Sequence, residues 1–168
     1  MTDLSTDHGR GQLLLSILRI VLGFMFVWAF ADKLFGLNML TAPGDGMIDG
    51  GSPTEYYLSQ LVSGPFEGLW NALAGNMFID LLLMFGLIAV GGAMMIGIAS
   101  KLSTLGFVIM TAMMYTLCIP PSDNPLVDYH IVYILASLSI YLLGGFDVLS
   151  LNDRWRGLWI VKRFPILG

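Results

Sequence analysis

Three ionisable side chains in this sequence are the best suited to chemistry: Lys33, Asp128 and His130. They stand at the edges of long apolar segments, where a charge is costly unless it is paired or hydrated. An imidazole titrates near neutral pH, so His130 can pass a proton, and Asp128 lies close enough in sequence to assist it. We predict these three as catalytic residues, with Lys33 supplying positive charge. A histidine that only bonds a neighbouring carboxylate would give the same pattern.

Further polar residues fall at the same level of the chain and are predicted to line a binding site: Asp32, Asp80, Tyr115 and Tyr129. Cys118 is expected on the same side. A purely structural reading is equally open for the acidic groups. Lys33 would then pair with Asp32, Asp80 or Asp128 and tie helix ends together, and carboxylates are also favoured near helix N-termini.

The composition excludes several classes of function. The single cysteine rules out an internal disulfide, and two histidines without a CxxC or HExxH motif predict no metal site. A bis-histidine haem is excluded because only one histidine lies at membrane depth. A net charge of −4 argues against nucleic acid as a partner.

The elements that must position these residues are predicted to be membrane spans. Hydrophobic residues make up 56% of the chain and charged residues only 12%, against about a quarter in soluble domains. Because a helix needs roughly 20 apolar residues to cross the hydrocarbon core, four spans are predicted. They run over about 13–34, 78–98, 102–119 and 126–146. The expected fold is all-α, an integral membrane four-helix antiparallel bundle in one domain.

The distribution of basic residues predicts the orientation in the bilayer. With four crossings, most of the Lys and Arg residues fall on one side, which the positive-inside rule makes cytoplasmic, whereas Lys33 faces the other way. Three or five crossings would scatter these charges over both faces. We therefore predict a multi-pass protein of a prokaryotic plasma (inner) membrane with both termini in the cytoplasm.

The segments outside the spans carry their own patterns. In the outer loop 36–76, Ser52 followed three residues later by Glu55 resembles a capping box, and the apolar residues behind it predict two short amphipathic helices at the interface. The tail 151–168 combines Trp155 and Trp159 with basic residues, which favours an amphipathic anchor at the inner leaflet over a docking surface for a partner.

Two features inside the spans are expected to be structural. Arg19 lies a turn or two inside the cytoplasmic boundary and is predicted to snorkel outward or to bond Asp147. Ala89, Ala93 and Gly97 recur every four residues in the second span, and Gly86, Gly91 and Gly92 add further small surface. This pattern favours close helix packing within the chain or against another copy.

The whole layout resembles the DoxX family of small membrane proteins, and within it the DoxD-like small subunit of thiosulfate:quinone oxidoreductase. The resemblance covers nearly all the chain. Four stretches carry it, in this order: RIVLGFMFVWAFADKLFG (19–36), SPTEYYL after the glycine-rich loop, LAGNMFIDLLLMFGLIAVGGAMMIGIASKLS (73–103) and NPLVDYHIVYILASLSIYLLGG (124–145).

This resemblance implies a membrane subunit of an oxidoreductase that passes electrons from thiosulfate or a related reduced sulfur compound to quinone. The redox centre would be a bound quinone or would belong to another membrane or redox subunit, since the chain has no flavin, haem or iron–sulfur motif. The alternative is a non-catalytic anchor or assembly subunit of a redox complex. A small permease ranks last, because inverted repeats and broken helices are missing.

Overall fold

A computed structural model describes residues 4–122 and 124–168, with side chains from residue 8 onward. Every regular element in these ranges is helical. The longer helices are α1 (Leu4–Phe35), α4 (Met77–Ile96), α5 (Ser100–Thr116) and α6 (Tyr129–Leu142). The short ones are α2 (Glu55–Gln60), α3 (Glu67–Asn71), α7 (Asn152–Gly157) and α8 (Trp159–Arg163), with 3₁₀ turns at Met47–Asp49 and Pro165–Leu167.

The helix ends follow from local residue chemistry. Helix α4 begins after Asn76, whose side chain accepts hydrogen bonds from the N–H groups of Phe78 and Ile79. It ends at Gly97, which adopts a left-handed conformation with φ of 69°. Asp128 caps α6 in the same way as Asn76 caps α4, through the N–H groups of His130 and Ile131.

Two helices, over His8–Phe35 and Met77–Ile96, are long and apolar enough to cross a membrane. The third and fourth predicted spans are shorter than expected. Helix α5 ends at Thr116 and α6 covers only Tyr129–Leu142, about 21 Å at 1.5 Å per residue. Helix α6 is short because residues 124–127, before the Asp128 cap, are not helical and because Gly144, just after the helix, has a φ of 83°.

The four longer helices pack in cyclic order, α1 against α4, α4 against α5, α5 against α6, and α6 against α1. Their shared core is built from seven buried residues: Leu22, Phe26, Leu87, Met94, Phe107, Ile140 and Phe146. The rings of Phe26 and Phe107 stack with centroids 4.5 Å apart. Large apolar side chains also cover the outside, with Phe78 and Phe85 each about 70% exposed.

The backbones of α1 and α4 approach each other closely where Gly23 faces Gly91. A Cβ atom on Gly23 would lie 2.7 Å from the carbonyl oxygen of Gly91, and one on Gly91 would lie equally near Phe26 Cβ. The small residues of α4 therefore serve packing within the chain at Gly91, as one of the two predicted alternatives requires. Gly92, by contrast, has nothing within 4 Å of its Cβ position.

Arg19 has other partners than the predicted Asp147. Its side chain is fully buried and donates to the backbone carbonyls of Met94, Met95, Gly145 and Leu149. These carbonyls lie at or beyond the C-terminal ends of α4 and α6, where helices leave acceptors unpaired and carry partial negative charge. Arg19 satisfies them from α1, and Asp147 instead accepts a hydrogen bond from Gln12.

Candidate functional site

The polar residues predicted to act together do lie at one end of the helix packing. Helix α1 finishes there with Lys33, α4 begins there with Asp80, α5 finishes there with Tyr115, and α6 begins there with His130. Arg19 marks the opposite end of the packed helices, since it joins the middle of α1 to the last turn of α4. We call the first of these the Lys33 end.

The segment 36–76 folds across the Lys33 end, and several hydrogen bonds fasten it to α4 and to the end of α5. The Thr54 hydroxyl donates to Asp80 Oδ1 at 2.6 Å, and the Trp70 indole N–H donates to Thr116 Oγ1 at 3.2 Å. The backbone N–H of Ser63 donates to the carbonyl of Leu117. The two short helices predicted in this segment are confirmed as α2 and α3. Ser52 Oγ accepts from the N–H of Glu55, as the capping pattern predicts, but α2 begins only at Glu55 and its N-cap residue is Thr54 instead of Ser52.

Lys33 is half-buried and lines a cavity of about 450 Å³ between the end of α1 and this loop. Its ammonium nitrogen lies 5.7 Å from the centroid of the Tyr57 ring, within cation–π range. No described carboxylate forms an ion pair with it, and Asp32 acts on it only at longer range. The cavity wall mixes aromatic, apolar and polar groups, among them Tyr56, Leu40, Leu61, Thr41, Ser52 and Asp45.

Tyr57 connects this cavity with the second cluster of polar residues. Burial, and to a smaller extent the nearby Cys118, raise the pKa of the Tyr57 phenol. Tyr57 is therefore a neutral hydroxyl at ordinary pH and not a phenolate. It also lies within Coulombic range of Tyr129. In the sequence, Tyr57 is one of the apolar residues that follow Glu55, and its place beside Lys33 depends on how the loop folds back over the end of α1.

The second cluster contains Asp128, His130 and Cys118. His130 Nδ1 lies 2.6 Å from Asp128 Oδ2, and both side chains are about nine-tenths buried. The Cys118 sulfur lies 3.6 Å from the same carboxylate oxygen and 4.0 Å from His130 Nδ1. Asp128 Oδ1 meanwhile accepts from the N–H of His130, so the carboxylate is held from both of its oxygens.

Two tyrosines surround the imidazole. The Tyr129 ring centroid is 4.2 Å from that of His130, and Tyr115 lies edge-on at 6.4 Å. The Tyr115 hydroxyl donates to the carbonyl of Leu126 at 2.6 Å, which ties the loop before α6 to the end of α5. The predicted residues Tyr115, Tyr129, Asp128 and His130 therefore form one group.

Asp32 and Asp80, also predicted to bind a ligand, are placed in structural hydrogen bonds. Asp32 is buried and accepts from the backbone N–H groups of Met39, Leu40 and Thr41. Asp80 is buried and accepts from both the hydroxyl and the backbone N–H of Thr54. Carboxylates in such positions order the loop that covers the site.

Comparison with known proteins adds no relative. No family model, curated protein or solved structure matches the chain.

Proposed function

We propose that this chain is a four-span membrane subunit of a quinone-linked oxidoreductase, and that the cavity beside Lys33 binds the quinone headgroup. The observation that carries the proposal is Lys33 itself, a half-buried ammonium group without a described carboxylate partner, facing an amphiphilic cavity. A positive charge at such a position is retained at a cost unless it meets a ligand.

The cavity suits a quinone headgroup in size and chemistry. A quinone has two carbonyl acceptors on a flat apolar ring, so Lys33 can donate to a carbonyl while Tyr56 and Tyr57 contact the ring. Asp45 also lines the cavity, which disfavours a doubly charged oxyanion as its occupant. A reduced sulfur compound such as thiosulfate, as the DoxX resemblance implies, would then deliver its electrons from elsewhere in the complex.

Reduction of a quinone by two electrons also requires two protons. The Asp128–His130 pair lies at the same end of the chain and can hold and transfer a proton. Tyr57, which contacts Lys33 and lies near Cys118, has a hydroxyl that can donate to a carbonyl or relay a proton. These residues supply positioning and protons, and the quinone supplies the redox chemistry.

The membrane setting is supported by the outward-facing surface. In each of the two long apolar helices, only 28% of the most hydrophobic window is buried inside the protein. Leu14 on α1 and Leu142 on α6 are also about 70% exposed. An apolar surface this extensive requires lipid or a partner protein. We infer that α5 and α6 cross with α1 and α4, in a prokaryotic plasma membrane with both termini in the cytoplasm.

The test compares two lysine variants in purified chain reconstituted into lipid nanodiscs. We expect a short-chain ubiquinone to bind to the natural sequence. Lys33→Met should weaken that binding by about 10- to 100-fold, which corresponds to the free energy of one hydrogen bond to a charged group. The control is Lys101→Met, an exposed lysine at the other end of the chain. Equal affinity of Lys33→Met and Lys101→Met, or no binding by the natural sequence, would overturn the proposal.

A second candidate, a non-catalytic membrane anchor of a redox complex, is favoured by the tail. Helices α7 and α8 carry Arg154, Arg156, Lys162 and Arg163, and Trp159 is 78% exposed. Such a surface can hold anionic lipid or an acidic partner. Extraction in mild detergent separates the two functions, because an anchor copurifies with a stoichiometric partner and has no affinity for quinone.

A further inference from the structure

We propose that Cys118, Asp128 and His130 form a binding site for a divalent transition metal, with Zn²⁺ as the best match. The three residues are separate from the proposed quinone cavity beside Lys33, so metal binding and quinone binding can be tested separately. A bound metal would, however, take the place of the proton that the Asp128–His130 pair holds in the proposed function. It departs from the prediction of no metal site, which depended on the absence of a CxxC or HExxH motif. Residues 119–127 separate Cys118 from Asp128 and His130, so the three ligands come together only in the fold.

The distances between the ligand atoms lie within about 1 Å of those of a tetrahedral zinc site. Zinc bonds of about 2.0–2.3 Å to nitrogen, oxygen and sulfur place neighbouring ligand atoms about 3.3–3.6 Å apart. The sulfur of Cys118 is 3.6 Å from Asp128 Oδ2 and 4.0 Å from His130 Nδ1. The nitrogen and carboxylate oxygen are 2.6 Å apart and must separate by under about 1 Å.

The identities of the ligands select the class of metal. A thiolate, an imidazole and a carboxylate together favour zinc and its neighbours in the transition series, whereas Ca²⁺ and Mg²⁺ take oxygen ligands. Three protein ligands leave a fourth position for water or a substrate atom, as in catalytic zinc sites.

Charge balance favours metal binding at this position. A thiolate and a carboxylate carry two negative charges, which are expensive where water is scarce, and a divalent cation neutralises both. Binding releases the proton of the Cys118 thiol and the proton that joins His130 Nδ1 to Asp128. The metal therefore replaces those two protons, and its affinity should fall as the pH is lowered.

The surroundings hold the ligands in place before any metal binds. Asp128 Oδ1 is fixed by the first N–H groups of α6, which leaves Oδ2 pointing to the cluster. The bond from Tyr115 to the Leu126 carbonyl and the bond from Ser63 to the Leu117 carbonyl position the two chain segments. Metal affinity depends strongly on such supporting contacts.

The test uses Co²⁺ alone as a spectroscopic probe on the full chain, purified in detergent without a histidine tag. Thiolate coordination gives a sulfur-to-cobalt charge-transfer band, and Cys118 is the chain's single cysteine, so the band has one possible source. We expect one Co²⁺ per chain and displacement by Zn²⁺. Cys118→Ser should lose the band, and His130→Ala should bind at least about 100-fold more weakly. The control is His8→Ala, which removes the chain's other histidine and should change nothing.

A second measurement works on the natural sequence, in case a variant does not fold. Zn²⁺ should protect Cys118 from alkylation by a maleimide, and a chelator should reverse the protection. Absence of the charge-transfer band together with unchanged alkylation would overturn the metal site and leave a hydrogen-bonded Cys–Asp–His cluster. Quinone affinity, measured on the same samples, reports separately on the proposed function.

Discussion

The Arg19 side chain donates a hydrogen bond from Nε to the carbonyl oxygen of Gly145, with the two atoms 2.9 Å apart. The same guanidinium group reaches carbonyls of α4 and lies 5.1 Å from the ring centroid of Phe146. One side chain on α1 thus donates hydrogen bonds to carbonyl groups at the C-terminal ends of both α4 and α6. A planar fork of five donors can do this, whereas an ammonium group presents its donors from a single point.

We predict that Arg19→Met destabilises the chain by about 3 kcal/mol or more, because several buried carbonyls lose their donor. Arg19→Lys should fall between this variant and the natural sequence. Arg154→Met, at an exposed position, should stay within about 0.5 kcal/mol. Unfolding by heat or denaturant in detergent measures the differences, and equal stability of Arg19→Met and Arg154→Met would refute the role of Arg19.

The bond between Thr54 and Asp80 is predicted to hold the covering loop in place. Thr54→Val removes a hydroxyl that donates to a buried carboxylate and accepts from the N–H of Gly75. The expected loss is about 1.5–3 kcal/mol, with faster proteolysis between residues 36 and 76. Thr54→Ser should restore most of the stability, and Ser59→Ala, at an exposed position, should have little effect. Unchanged proteolysis of Thr54→Val would show that the other contacts suffice.

Gly64 is predicted to be intolerant of any side chain. Its φ is 93°, and a Cβ atom there would lie 1.8 Å from the carbonyl oxygen of Ile119. Gly64→Ala should cost about 2 kcal/mol or more from backbone strain and from displacement of the chain beside Cys118. Gly68→Ala is the matched control, since nothing lies within 4 Å of its Cβ position and alanine favours the α3 helix. Thermal unfolding should separate the two variants clearly.

The membrane topology yields a labelling prediction. The natural side chains of Met39 and Trp159 are 70% and 78% exposed, so both positions suit a single cysteine introduced in a Cys118→Ser background. If the chain crosses an even number of times with basic residues inside, a membrane-impermeant maleimide labels Met39→Cys in intact cells. Trp159→Cys reacts only after the cells are opened. Labelling of both positions from outside would exclude the proposed orientation.

The residues of the candidate site were predicted unevenly. Asp128 and His130 are two positions apart at the start of a helix, so their contact follows from local geometry and could be anticipated. The placement of Lys33 beside Tyr57 could not be anticipated, because it depends on how the 23 residues between them return the chain to α1. Asp32 and Asp80 are predicted to bind a ligand, but in the structure they accept hydrogen bonds from the covering loop. The sequence cannot distinguish a carboxylate that faces a cavity from one that faces a turn.

By itself, the sequence determined the long apolar helices, because a backbone that loses its hydrogen bonds to water must form them within a helix. It also determined several of the helix ends, because asparagine, aspartate and glycine set helix boundaries locally. It also determined that polar residues gather at the ends of those helices. Only the tertiary structure decided that Cys118 meets Asp128 and His130 and that Arg19 donates to backbone carbonyls in place of Asp147. Those outcomes depend on the rotation of each helix about its axis and on the path of the covering loop, which long-range packing fixes and local sequence does not.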